Sequence, residues 1–356
     1  MKVQRALDSA TGQQRWLVIG PDYLPVESIC AFLIYLENIG KSPNTCRAYA
    51  HHLKLYWEYL AERDRAWTTV GLQELAEFVG WLRTPVVASA PARADNTVNV
   101  IVSAVTSFYD FHWRNEQVKD IPLYRYLRAP QRQYKPFLHH ASKGKPALAH
   151  LLKRKSRRTQ PQVLSREQVA QALAACSNVR DRLLVSLLYE TGMRIGAALG
   201  LRHADICSWD LTVRIVPRPE NADWARTKGV NVYPLQVTAE WAQLYADYLV
   251  REFRDCGSDY VFVNLWKEPR GQALTYAAVA DLFRRLSRKV GFKVHPHMLR
   301  HTHGTELIRH GLDVVMVQQR LGHQQVQTTR KYLHLSANEV NAAIRAFQAR
   351  QKEGKP

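Results

Sequence analysis

Two short stretches and two single side chains carry the residue types that chemistry on a phosphate requires. In "LGHQQVQTTRKYLHL", residues 321–335, His323 and Tyr332 stand nine positions apart in a polar run headed by Gly322. The residues between them read as a turn and a short helix, so the two side chains can converge. A tyrosine hydroxyl, with a pKa of about 10, is a weak nucleophile unless its proton is removed and its target is made electrophilic. In "HPHMLRHTHGTEL", residues 295–307, His297 and Arg300 are three apart and His301 is four from His297, so a helix puts them on one face. Arginine offers a planar fork of donors and histidine one more, a pairing that suits a phosphate. Arg194, in "TGMRIGAALGL", follows an apolar helix and a glycine turn, and Lys228, in "RTKG", falls at an inferred hairpin tip. Taken singly, each has a simpler reading: a helix-start arginine, an exposed tip lysine, a half-buried tyrosine. Together they supply one oxygen nucleophile and several cationic or donor groups. Such a set suits direct attack on a phosphodiester. Arginines neutralise the charge growing on the non-bridging oxygens, a task otherwise given to a metal, and losing one such donor typically costs about 10²–10³ in rate.

The rival reading of the same stretch is a metal site, because His295, His297, His301 and His303 cluster. A catalytic metal for phosphate chemistry normally brings carboxylates, and only Glu306 and Asp313 lie near. We therefore expect neither a metal nor a cofactor.

The chain that must position these groups has 356 residues, enough for two domains, and 46% of them are hydrophobic, enough for real cores. Its formal net charge of +19 points to a polyanion, most simply nucleic acid. A membrane surface finds no support in any long apolar run or lipidation signal. The first residues, "MKVQRALDSATGQQRW", lack a signal-peptide stretch, and the five scattered cysteines form no CxxC pair. Both features predict a cytoplasmic protein with reduced thiols.

We read residues 1–20 as an N-terminal tail and 21–130 as an all-α DNA-binding domain. Residues 131–162 read as a basic interdomain linker, 163–340 as a mostly α catalytic domain with a small antiparallel β-sheet, and 341–356 as a C-terminal tail or helix. "VESICAFLIYLENIG" carries Ile29, Phe32, Leu33 and Leu36 at helical spacing, and "SPNTCRAYAHHLKLYWEYLAERD" opens with an Asn-Thr cap signal. Two further helices follow near 72–82 and 95–112. The polar side of this region holds Lys41, Arg47, His51, His52 and Lys54. It is either a solvated face or one laid against phosphates; Lys41, Arg47, His51 and Lys54 are the DNA-binding candidates. In the linker, "KRKSRR" supplies Lys153, Arg154, Lys155, Arg157 and Arg158, which can follow a DNA backbone or serve as a localisation signal. In "LSREQVAQALAACS", Ser165 and Gln168 form a capping-box signature. "LTVRIVP" and "VNVYPL" read as strands flanking the Lys228 tip, and helices are predicted near 239–255, 275–290 and from His297 onward.

The order Arg194, Lys228, His297-x-x-Arg300, His323, Tyr332 resembles the tyrosine recombinase (phage integrase) family. "TGMRIGAALGL", "HMLRHTHGTEL" and "LGHQQVQTTRKYLH" are similar to its signature boxes. "SPNTCRAYAHHLKLYWEYL" resembles its helical, SAM-like core-binding domain. "MRIGAALGLRHADI" and "YKPFLHHASKGKP" look most like transposon-encoded members. The resemblance implies a C-shaped clamp of two domains around double-stranded DNA recombination sites. It implies that Tyr332 attacks the scissile phosphate to form a 3′-phosphotyrosine and free a 5′-hydroxyl. Arg194 and Arg300 would clamp the phosphate, and Lys228 would protonate the leaving 5′-oxygen. His297 would act as general base or added donor, and His323 would hydrogen-bond a phosphate oxygen. Neither ATP nor metal is implied. Strands exchange through a Holliday junction in a homotetramer on DNA, built from protomers that can be monomeric in solution, with accessory proteins in some systems. The outcome is integration, excision or transposition. In the family, a C-terminal helix such as "SANEVNAAIRAFQARQ" docks on a neighbouring protomer.

One position departs from the pattern. Three residues after Arg194 the family usually carries an acid, and here Ala197 stands. Glu190 is a candidate substitute. The alternatives that remain are a catalytically impaired, sequence-specific DNA-binding protein and a type IB topoisomerase-like enzyme that relaxes DNA.

Overall fold

The computed structural model describes residues 1–7, 12, 14–85, 91–127, 147–154, 162–218, 221, 233–254 and 256–322. The chain divides into two compact units, Met1–Arg158 and Thr159–Pro356.

Among the described residues the first unit is built on four helices, α1 (Glu27–Asn38), α2 (Pro43–Ala61), α3 (Leu72–Arg83) and α4 (Asp95–Arg114). Their apolar stripes meet in one core that includes Ile29, Phe32, Leu53, Phe78 and Phe108. At its centre the Tyr56 and Tyr109 hydroxyls lie 2.7 Å apart, and Tyr109 Oη donates to Trp67 O at 2.9 Å. Paired this way, two buried phenols satisfy each other and a loop carbonyl. α2 is capped by Ser42, whose Oγ accepts from Thr45 N at 3.2 Å, with Pro43 in the first turn. The Asn-Thr expectation thus sits two to three residues late. Proline forces its predecessor into extended backbone and itself suits the first helical position, so Ser42 must be the cap.

Residues 1–20 are not a tail. β1 (Lys2–Leu7) and β2 (Gln14–Ile19) pair antiparallel, Lys2 opposite Ile19, and pack on α1 and α2 with Val18 fully buried. A second ribbon pairs β3 (Tyr124–Leu127) with β4 (Ala147–His150). The expected all-α domain is therefore helical with two added antiparallel ribbons. Residues 147–154, read as linker, belong to this unit: Arg154 Nε meets Asp95 Oδ1 at 2.9 Å, and Arg154 N donates to Asn99 Oδ1 at 2.9 Å.

The second unit opens on α5 (Arg166–Ala174), where the capping box forms: Gln168 N donates to Ser165 Oγ at 3.2 Å and Ser165 N to Gln168 Oε1 at 2.9 Å. α6 (Val179–Thr191) is buried on nearly every side and ends at Gly192, which has φ +62°. A short α7 (Ile195–Leu199) follows, then a three-stranded antiparallel sheet of β5 (Ile206–Cys207), β6 (Thr212–Ile215) and β7 (Tyr233–Gln236). Among the described residues the helices α8 (Ala239–Tyr248), α9 (Tyr276–Val290), α10 (Pro296–Arg309) and α11 (Val314–Leu321) follow. α6 packs on α8 and α10, and Leu184, Leu188, Trp241, Tyr248 and Phe262 fill the core. Mostly α structure with small antiparallel sheets is thus the observed fold class. Among the described residues no helix is long and apolar enough to cross a membrane.

Candidate active site

The two arginines expected to hold a phosphate come from different helices and converge on one turn. Arg194 is the N-cap of α7, placed there by the left-handed backbone of Gly192 two residues before it. Its Nη1 donates to Gly322 O at 3.4 Å. Arg300 projects from the middle of α10 and is only 2% exposed. Its Nη1 donates to Gly192 O at 2.6 Å and its Nη2 to Leu321 O at 2.7 Å. Consecutive carbonyls at the end of α11 therefore receive one guanidinium each. Helix C-termini leave carbonyls without intrahelical donors and carry partial negative charge. The ends of α6 and α11 thus supply a polar seat for a buried cation that cannot deprotonate.

The close approach requires glycine at 192. A Cβ there would meet His303 Cδ2 at 2.6 Å and Leu321 Cδ2 at 2.8 Å. His303, one turn beyond Arg300 on α10, is buried. Burial, with Arg320 and Arg300 nearby, pushes its pKa down to about 3, so it is a neutral packing group.

His297 lies one turn before Arg300 and is exposed, its ring 5.0 Å from that of His301. His295 caps α10, its Nδ1 accepting from Met298 N at 3.3 Å. The four clustered histidines thus divide into a cap, a buried wedge and a ring pair. Among the described residues no group of three or more His, Cys, Asp or Glu stands close enough to hold a metal ion. Lys228, His323 and Tyr332 lie outside the described residues. His323 is the residue that follows Gly322 in the chain, so the segment bearing it and Tyr332 departs from the carbonyl that Arg194 holds.

Ala197 is buried in α7, 8% exposed. Glu190 does not take its place beside Arg194 in any described contact. Its Oε1 accepts from Ser186 Oγ at 2.9 Å and its Oε2 from Thr238 N at 3.1 Å.

The DNA-binding candidates separate by their partners. Lys41, Arg47 and His51 are exposed at and along α2, and Arg47 lies over the Trp16 ring, 5.5 Å from its centroid. Lys54 pairs with Glu58 at 2.9 Å. Lys153 is exposed and Arg154 is paired with Asp95. Lys155, Arg157 and Arg158 lie outside the described residues. Sequence reasoning missed Trp16, hidden in the supposed tail, and the exposed face of α9. There the apolar residues Val279, Leu282, Phe283 and Leu286 bury one stripe and leave Arg285 and Arg288 outside. The spacing of that stripe was enough to find them.

Known proteins resemble this chain in sequence and fold. The phage integrase family matches residues 162–339, and its N-terminal SAM-like domain matches residues 29–116. Transposase A of transposon Tn554 from Staphylococcus aureus is 38% identical over 364 aligned positions, covering all of both chains. The chain belongs to the phage integrase family. It is therefore a tyrosine-type site-specific recombinase. Tyrosine recombinase XerA of Pyrococcus furiosus is 27% identical over 88% of this chain and 91% of its own. Among solved structures, the integrase of transposon Tn1549, in complex with a circular intermediate DNA, superposes with a TM-score of 0.62. It covers 90% of this chain and 99% of its own at 14% identity, a likeness of fold. The integrase boundaries fall inside the second unit, and the SAM-like match spans α1 to α4 but excludes the β1–β2 hairpin.

Proposed function

We propose that this recombinase cuts and rejoins double-stranded DNA through a 3′-phosphotyrosine at Tyr332, without metal or ATP, and moves a transposon-like element between sites. The observation that carries this reading is the convergence of Arg194 and Arg300 on the α6–α7 turn and the end of α11. Two guanidiniums with fixed orientation are a preformed seat for the non-bridging oxygens of one phosphodiester. Tyr332 Oη attacks the phosphorus, the P–O5′ bond breaks, and the 5′-oxygen leaves with a proton from Lys228. His297, exposed one turn from Arg300, takes the tyrosine proton or donates to the phosphate, and His323 donates to a phosphate oxygen. The phosphotyrosine conserves the bond energy. A 5′-hydroxyl from a partner duplex attacks it, the P–O(Tyr) bond breaks, and a Holliday junction forms within a homotetramer. Full coverage of the Tn554 transposase supports transposition as the outcome, and a DNA substrate is the ground for expecting association with the bacterial nucleoid.

A nicked duplex pool, in which the short 5′-hydroxyl fragment escapes after cleavage and religation is blocked, tests the chemistry. The expected result is a covalent protein–DNA adduct that forms in EDTA and disappears in Tyr332→Phe. An adduct that persists in Tyr332→Phe, or cleavage abolished by EDTA, refutes it. DNA binding with no adduct favours the impaired-enzyme reading.

A further inference from the structure

Arg320 stands in the last turn of α11, three residues before His323. Its side chain is half-buried, and one nitrogen, Nη2, donates to two carbonyls from two other elements. These are Glu190 O, in the last turn of α6, at 3.1 Å, and Gln236 O, the final residue of β7, at 2.9 Å. Burial draws its pKa below the ordinary arginine value while nearby Glu190 opposes the shift. Desolvating a guanidinium is unfavourable unless its hydrogen bonds offset the loss, and a long apolar side chain could fill the same space. A charged donor at this position therefore needs a reason beyond packing.

The reason lies in what the three elements carry. α6 runs into Gly192 and Arg194. β7 is the strand that follows Lys228 in the sequence. α11 runs into Gly322, His323 and the Tyr332 segment. One guanidinium thus ties together the three stretches that deliver the phosphate clamp, the leaving-group acid and the nucleophile. Arg194 and Arg300 link the first to the third; Arg320 brings in the second.

We propose that Arg320 is a positioning residue that sets β7, the strand that follows Lys228 in the sequence, against the helix that precedes Tyr332, so that both residues act on the same phosphate. In this role it acts through the elements it joins rather than on the reacting atoms. The inference rests on the phosphotyrosine reading above. Misplacing a catalytic group by about 1 Å costs about 10²-fold, and removing general-acid assistance costs about 10²–10⁴-fold.

The test compares wild type, Arg320→Met and Arg320→Lys in the full chain on two nicked substrates. One has the ordinary 5′-oxygen leaving group. The other has sulfur bridging at that position, and a thiolate leaves without a proton. Single-turnover adduct formation, DNA affinity and thermal unfolding are measured for each protein. Arg320→Met is expected to slow cleavage of the oxygen substrate by about 10²-fold, as for a displaced catalytic group. On the sulfur substrate it should remain within about fivefold of wild type, because general-acid assistance is no longer needed. Arg320→Lys, which keeps a cation and rotatable donors, is expected to fall between. It carries the test by itself if the methionine variant does not fold. Equal slowing on both substrates reveals only a structural role and overturns the proposal, as does unchanged cleavage of the oxygen substrate. Wild-type protein that binds DNA but forms no adduct on either substrate overturns the phosphotyrosine reading, and this role with it.

Discussion

Gly192→Ala is the substitution whose effect the structure defines most sharply. Gly192 ends α6 with φ +62°, and its carbonyl receives Arg300 Nη1 at 2.6 Å. An L-residue in the left-handed region costs about 1–2 kcal/mol. The added Cβ would also stand 2.6 Å from His303 Cδ2 and 2.8 Å from Leu321 Cδ2, both in buried side chains. Relieving such overpacking typically costs about 1–3 kcal/mol. The sum, about 2–5 kcal/mol, lowers the unfolding temperature of a unit of this size by roughly 5–15 °C. Calorimetry on the full chain reads it, with Gly80→Ala as the control. Gly80 is exposed within α3, lacks a positive φ and has nothing within 4 Å of its built Cβ. That control is expected to be neutral or to stabilise by about 0.5–1 kcal/mol. His303→Ala removes one of the two close contacts. In that background Gly192→Ala should cost at least about 1 kcal/mol less, a coupling of the size contacting residues show. A Gly192→Ala protein within about 0.5 kcal/mol of wild type, or strictly additive behaviour with His303→Ala, refutes the reasoning.

Two further outcomes follow from buried groups. His303 is held neutral with a pKa of about 3, whereas an unfolded histidine titrates at about 6.5. The unfolded chain therefore takes up a proton that the folded chain refuses. This contribution is complete above about pH 6.5 and is lost as pH falls towards 3, with an upper bound on the order of 5 kcal/mol. His303→Phe should flatten the acid limb of stability against pH in urea unfolding; parallel curves for the two proteins argue against it. In the first unit, Tyr109→Phe removes the partner of both Tyr56 Oη and Trp67 O, whereas Tyr56→Phe leaves Tyr109 bonded to Trp67 O. Tyr109→Phe is expected to destabilise by about 1–3 kcal/mol and Tyr56→Phe by about 0.5–1.5 kcal/mol. The reverse order in chemical denaturation contradicts this hydrogen-bond chain.

Helices were legible where a sustained apolar stripe marked them, as in α1 and α9, and where a cap had a recognisable pair, as with Ser165 and Gln168. The β1–β2 hairpin was not, because six-residue strands give periodicity few repeats and much of their apolar surface is only half-buried on α1 and α2. The candidate site residues Arg194 and Arg300 were proposed from type and order, which carry nothing about their environment. Nothing in "HMLRHTHGTEL" distinguishes the nearly inaccessible Arg300 from the exposed His297 beside it. That difference arises from the end of α6, more than a hundred residues earlier, packing across α10. His295 counted as a potential metal ligand in sequence and is a helix cap in the structure, because a ring nitrogen at that position reaches the N–H of Met298 in the first turn of α10. Arg320 carried no signal at all, since its meaning depends on two backbone carbonyls and no side chain.

The described hydrogen bonds of Arg194, Arg300 and Arg320 end on peptide oxygens: Gly322 and Leu321, Gly192 and Glu190, and Gln236. A carboxylate in those places would orient a guanidinium more strongly but would cancel its charge and compete with an incoming phosphate. A carbonyl orients it through a dipole and brings no formal negative charge of its own. This bears directly on Ala197. The position where the family brings an acid is packed against the apolar core, and a carboxylate there would have to be desolvated. Glu190, the nearest candidate to replace it, engages Ser186 and the backbone of Thr238 through its carboxylate and meets Arg320 through its carbonyl. Orientation of the basic cluster thus comes from the ends of α6, β7 and α11, so loss of an acid at 197 does not by itself imply loss of the site.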